Sequence, residues 1–236
     1  MQQTDISTYT KSIKQFVLDK GAALVGVTKI DSLKGLKTYP DDLMNGFTSA
    51  ISIAVNIPNA VFDTIIDKPT PIYASFYGVA NDLLDRISLQ TAMQLQSDGH
   101  QALPIPASKY ATEDKLHGSI PHRAVALMSG LGWIGKSSLL VTKQFGPRVR
   151  LSTILTTADL VPDKMEDNLC GDCVECMEAC PADAIKGINT ESYFETPNKA
   201  LHFDKCVGKL RNEFTKLPNI KRNICGICIK VCPYGR

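Results

Sequence analysis

Cys170-Gly-Asp-Cys173-Val-Glu-Cys176-Met-Glu-Ala-Cys180-Pro181 decides how this chain is organised. The spacing C-x2-C-x2-C-x3-C-P lets a short loop wrap three thiolates around one iron–sulfur cubane and send the fourth to a neighbouring cluster. A second set follows in the same order, Cys206, then Cys225-Gly-Ile-Cys228-Ile-Lys-Val-Cys232-Pro233, with its first gap stretched to 18 residues. Two four-thiolate cubanes use up all eight cysteines of the chain. The crossed pattern predicts that Cys170, Cys173, Cys176 and Cys232 share one [4Fe-4S] cluster and that Cys180, Cys206, Cys225 and Cys228 share the other. Paired C-x2-C knuckles also bind zinc, but zinc sites rarely carry this spacing followed by proline. Disulfides are a poorer reading still, in a chain that shows no export signal.

Outward from the motif the chemistry changes, because the first 169 residues contain no cysteine. With 236 residues, 44% apolar and 21% charged, the chain can bury a sizeable core, which excludes a disordered or collagen-like polymer. No apolar run approaches the roughly 20 residues that span a bilayer, and Met1-Gln-Gln-Thr-Asp5 lacks a basic, apolar leader. A cytoplasmic location with no membrane partner is expected. A net charge of +2 gives no global field for nucleic acid, which is not an expected partner.

Helical spacing of Ile6, Tyr9, Ile13, Phe16 and Val17 predicts a helix over 5–19. The β-branched runs 22–28 and 50–56 read as buried strands, and 74–97 as a long helix ended by Asp98-Gly99. A strand over 101–105, a helix over 121–129 and strands over 138–142 and 149–156 complete the pattern. This alternation argues for a layered α/β domain over 1–165. The acidic stretch 162–168 reads as a linker into a ferredoxin-like domain over 166–236 that binds two [4Fe-4S] clusters.

Gly130-Leu131-Gly132-Trp133-Ile134-Gly135-Lys136-Ser137 satisfies both the dinucleotide and the triphosphate loop patterns. Both mechanisms need a strand before the loop and a helix after it, so that amide groups at the helix start meet phosphate. The order expected here is the reverse. Two readings stand: a bare glycine surface against a large flat ligand, or a tight turn whose glycines allow close packing.

Arg123-Ala-Val-Ala126, the glycine loop through Leu140, Phe145-Gly146 and Leu155-Thr156, followed by the double cysteine motif, resemble the epoxyqueuosine reductase family, distant relatives of the reductive dehalogenases. The resemblance implies a flavin-reductase-like α/β domain that binds cobalamin, with Gly130–Lys136 against the corrin and electrons arriving through two [4Fe-4S] clusters. A flavin is the second occupant to consider for the same pocket. Two departures accompany it. Family members acting on tRNA carry helical repeats after the cluster domain, whereas this sequence ends at Pro233-Tyr-Gly-Arg236. Their proton-donating Asp upstream of the Arg-Ala-Val-Ala match falls on Leu116 here, with Asp114 and His117 nearby. These departures imply a small-molecule substrate rather than tRNA.

A reduction that consumes protons needs an acid, and an imidazole titrating near pH 6.5 can supply one. His122 is the preferred candidate because it starts the helix leading into the glycine loop; His117 and Tyr77 are the others, and either histidine is also a candidate axial contact to cobalt. Lys205, Lys209, Arg211, Lys216, Lys221 and Arg222 make the long gap of the second motif basic against Asp204 and Glu213. Such a run is either a solvated face or a docking surface that steers an acidic donor, reduced ferredoxin or flavodoxin. The rival to a reductase is a non-catalytic electron carrier or maturation protein that docks a partner through its α/β domain. Anaerobically purified protein is expected to hold about eight irons and about eight sulfides per chain; zinc in place of iron would contradict the motif reading.

Overall fold

The structure is a computed structural model that describes residues 5–114, 116–193 and 196–236. In chain order its elements are α1 (Ile6–Asp19), β1 (Leu24–Lys29), β2 (Ser49–Asn56), α2 (Asn59–Asp63), α3 (Pro71–Ser97), β3 (Ala102–Ile105), α4 (His122–Met128), β4 (Trp133–Ile134), β5 (Leu140–Val141), β6 (Val149–Thr156), α5 (Glu175–Glu178), α6 (Pro197–Ala200), α7 (Phe203–Asn212) and α8 (Ile227–Val231). Two compact units emerge, and they interleave in sequence. The first draws on the chain up to Val55, on Asn81–Leu131 and on Arg150–Glu166; the second on Asn56–Ala80, Gly132–Val149 and Asp167–Arg236. Both therefore take segments from the N-terminal side of the 165/166 division expected from composition.

The first unit is built on a sheet of order β1-β2-β6-β3. β2 and β6 are central and almost wholly buried, which is why their sequences read as continuous apolar and β-branched runs rather than alternating ones. β1 lies antiparallel to β2, with Leu24 opposite Ala54 and Lys29 opposite Ser49. β3 lies antiparallel to β6, with Ala102 opposite Thr156 and Ile105 opposite Thr153. Pro104 sits inside β3 rather than ending it, and an edge strand tolerates a residue with no N–H to donate.

Helices α1 and α4 pack on β1. α1 turns Thr10, Ile13 and Val17 inward, the face its sequence period selects. Val125 of α4 closes a core with Leu33, Ala50, Ile105, Ile120 and Leu155. The acidic stretch expected as a linker is anchored at Asp163, whose carboxylate accepts the Val27 amide at 2.8 Å and the Lys14 ammonium at 2.6 Å.

In the second unit β4 and β5 form a short antiparallel hairpin, Trp133 opposite Val141 and Ile134 opposite Leu140. Helices α5 and α8, which carry or adjoin cysteines of the two motifs, pack against each other, and α2 packs on α8. Among the described residues no helix is long and apolar enough to cross a membrane.

Candidate functional site

The eight cysteines all lie in the second unit, half-buried and free of disulfides. They fall into two groups. Burial pushes the Cys176 thiol up to about 11, and the neighbouring Cys170, Cys173 and Cys232 thiols push it the same way. Burial likewise pushes Cys225 up to about 11, with Cys206 and Cys180 as its thiol neighbours. Cys228, raised further by burial, has Cys225, Cys206 and Cys180 around it, and also Cys176 of the other group. Cys176 and Cys232 thus neighbour Cys170 and Cys173, and Cys225 neighbours Cys206 and Cys180, while Cys228 lies near thiols of both sets.

Among the described residues no three His, Cys, Asp or Glu side chains converge on the position of a single ion. Cys170, Cys173, Cys176, Cys228 and Cys232 line one cavity together with Gly135, Lys136 and Tyr234. Soft thiols around a volume are the kind of donor set that a cubane requires.

The loops that present these thiols are tied by buried polar groups. Asn168 accepts the Cys170 amide at 2.9 Å and donates to the Ile134 and Thr190 carbonyls, so it fixes the start of the first loop. Lys136, only 6% exposed, donates to the Gly171 carbonyl at 2.8 Å and the Cys173 carbonyl at 2.9 Å. Arg148, 3% exposed, donates to the carbonyls of Tyr234, Lys230 and Cys232, at 2.6, 2.9 and 3.2 Å. The Trp133 indole N–H points at Cys170 Sγ, 3.4 Å away, while its ring meets Tyr234 edge to face at 4.8 Å. Gly226, at φ +87°, precedes α8; a Cβ there would come within 2.6 Å of Ile65 and 2.9 Å of Tyr73.

The glycine loop is the hairpin β4–β5 and its approach, and Leu131 through Ser138 are buried. Gly132, at φ +155°, has no room for a Cβ against the Val141 carbonyl, and a Cβ on Gly135 would stand 2.8 Å from the Val141 side chain and 3.4 Å from Cys170 Sγ. Close packing therefore demands these glycines, as the turn reading expects. Gly130 and Leu131 belong to the first unit and Gly132 onward to the second. Trp133, Gly135 and Lys136, expected as corrin contacts, lie against the Cys170–Cys173 loop.

Tyr77 is half-buried in the second unit, its ring under the Arg222 guanidinium at 5.9 Å and edge-on to Tyr73 at 6.2 Å. His117 and His122 belong to the first unit. His117 is exposed, its ring 5.7 Å from that of Tyr39. His122 Nε2 lies 3.3 Å from the Pro106 carbonyl and Nδ1 2.8 Å from Thr153 Oγ1. The carbonyl can only accept, so Nε2 carries the proton and Nδ1 accepts from the hydroxyl. Burial lowers the His122 pKa to about 4, outweighing the Pro106 bond, and the positive charge of Arg150 adds to the lowering. A neutral ring with both nitrogens engaged does not carry the expectation that His122 is the acid. Arg148, Asn168 and Tyr234 escaped sequence reasoning, although the position of Tyr234 directly after Cys232-Pro233 was a usable signal.

Residues 169–235 match the 4Fe-4S double cluster binding domain, so the C-terminal region is a two-cluster iron–sulfur domain. The chain is 26% identical to the epoxyqueuosine reductase of Salmonella typhimurium, in an alignment covering 98% of this chain and 66% of the relative. Among solved structures, a reductive dehalogenase whose structure suggests a mechanism for B12-dependent dehalogenation matches 99% of this chain and 32% of its own, at TM-score 0.76 and 20% identity. An epoxyqueuosine reductase solved with an epoxyqueuosine-modified tRNA-Tyr stem loop matches 98% of this chain and 66% of its own, at TM-score 0.66 and 20% identity. The chain thus shares its fold with both groups while spanning under two thirds of the one and about a third of the other.

His122 gives the site a pH signature. The folded state holds its pKa near 4 against 6.5 for the free side chain, so between those values the unfolded chain binds a proton that the folded one does not. Stability is expected to fall as pH drops from about 6.5 toward about 4 and to level off below. Denaturant midpoints measured across that range should decline more steeply for the wild type than for His122→Gln.

Proposed function

We propose that this protein is an iron–sulfur reductase that passes electrons through two [4Fe-4S] clusters to a corrinoid, which reduces a small organic substrate. The observation that carries this reading is the match of residues 169–235 to the 4Fe-4S double cluster binding domain, set in a chain similar over 98% of its length to an epoxyqueuosine reductase. Cys170, Cys173, Cys176 and Cys232 would hold the first cluster; Cys180, Cys206, Cys225 and Cys228 would hold the second. A corrinoid, when bound, supplies a low-valent cobalt centre for the reduction.

The first turns of α3 suit a flat, largely apolar ligand. Ile72, Phe76 and Val79 recur at helical spacing and are all exposed. The layered α/β unit corresponds in this reading to the flavin-reductase-like cofactor domain of the family. Gly130–Lys136, by contrast, offers no open cradle, because the loop is occupied with the first thiol group.

Leu116 stands where the family places its acid, which favours a substrate other than tRNA. With both His122 nitrogens committed, His117 and Tyr77 are the side chains left to hold the proton. Reduced ferredoxin or flavodoxin is the proposed donor, steered by α7 and the segment after it. Lys216 and Lys221 are exposed there, while Lys205 pairs with Asp183 and Lys209 with Glu213.

Adding cobalamin to the anaerobically reconstituted protein tests the proposal. About one corrinoid per chain should remain through gel filtration, with a base-off cobalt spectrum. Retention of a flavin, or of no cofactor, would overturn the corrinoid assignment and leave an electron carrier or a flavin enzyme.

A further inference from the structure

Resting on the two-cluster reading, we propose that Trp133, Lys136 and Arg148 bias one-electron reduction toward the first thiol group, so that its cluster has the more positive potential of the pair. A cubane held by four thiolates becomes more negative by one charge when reduced. Its potential therefore rises with nearby positive charge and with hydrogen bonds to sulfur, and falls with exclusion of water, which disfavours the more highly charged reduced form.

Buried positive charge and a side-chain hydrogen bond to sulfur gather at the first group. Lys136 binds the loop of Cys170 and Cys173 through the Gly171 and Cys173 carbonyls. Arg148 binds the other contributing loop through the Lys230, Cys232 and Tyr234 carbonyls. Both cations are nearly inaccessible to water and, among the described residues, neither is bonded to a carboxylate. Burying a charge without a counter-charge is costly, and a field between such charges is little screened. An anionic cluster would give Lys136 a counter-charge and add to the compensation that Arg148 draws from the Asp63 carboxylate against Arg236. Trp133 adds an N–H donor to Cys170 Sγ from a side chain that is 1% exposed.

The second group is furnished differently. Cys180 Sγ accepts the Ala184 amide at 3.3 Å. The cation acting on Cys225 is Lys209, whose side chain is 25% exposed and already paired with Glu213 at 2.6 Å. Its charge is compensated before any cluster is reduced. The bias concerns the uptake of one electron from an external reductant such as dithionite; no bond is made or broken and no proton moves.

Potentiometric titration with dithionite, followed by electron paramagnetic resonance, reads this directly on the holoprotein. Wild-type protein should show two one-electron waves. Lys136→Met should move the more positive wave to lower potential by about tenfold in the reduction equilibrium, a shift of about 59 mV for one electron, and leave the other wave in place. Trp133→Phe, which keeps the ring and loses the N–H, should move the same wave in the same direction by less. An unmoved upper wave in both variants, or an equal shift of both waves, would overturn the inference. Failure of the wild type to show two cluster signals would instead strike the two-cluster reading on which it rests.

Discussion

In the proposed crossed arrangement each cysteine motif supplies three thiols to its own group and its fourth to the other, so neither group can be completed by one loop. Cys232, from the far end of the second motif, stands with Cys170, Cys173 and Cys176, and Cys180 stands with Cys206, Cys225 and Cys228. The two loops must therefore dock before either set of donors exists. Burial pushes the Cys176, Cys225 and Cys228 thiols up, whereas a metal centre takes thiolates, so cluster binding there would release protons and be coupled to folding. Lys136, Arg148 and Asn168 make sense in this light, since each bonds backbone of the thiol-bearing loops and fixes where their ends meet.

The same demand explains why the second unit reaches back into earlier sequence. A cluster domain of this kind buries little apolar surface of its own, and its helices α5, α6 and α8 are only four or five residues long. Support comes from the β4–β5 hairpin, from α2 and from the start of α3. Ile65 and Tyr73 close over Gly226 between the cysteines of the second motif, and Phe62 lies 6.0 Å beneath the Arg148 guanidinium. Composition alone, with every cysteine beyond residue 169, suggests a linear division that the packing does not follow.

Much of the first unit was legible. The strand expected over 149–156 is β6 to the residue, and the runs read as strands over 22–28 and 50–56 are β1 and β2 within two residues, because buried strands leave an unambiguous apolar signature. The double-cluster domain was legible for a different reason: cubane geometry constrains cysteine spacing more tightly than any secondary-structure preference does. What escaped were features without a local signal. β4, two residues long, hides inside a glycine-rich string that also fits nucleotide motifs. The roles of Lys136 and Arg148 depend on carbonyls 35 to 86 residues away, and no periodicity encodes such a contact. His122 fitted an acid by position in sequence, yet the carbonyl of Pro106 and the hydroxyl of Thr153 decide its state.

Crossing of the two motifs is the claim on which the rest depends, and a crystal structure of the anaerobic holoprotein, with anomalous data at the iron edge, tests it most directly. The account predicts two cubanes, one bonded to Cys170, Cys173, Cys176 and Cys232 and the other to Cys180, Cys206, Cys225 and Cys228. Bonding of Cys180 to the same cubane as Cys170, or isolated single ions in place of cubanes, would contradict it.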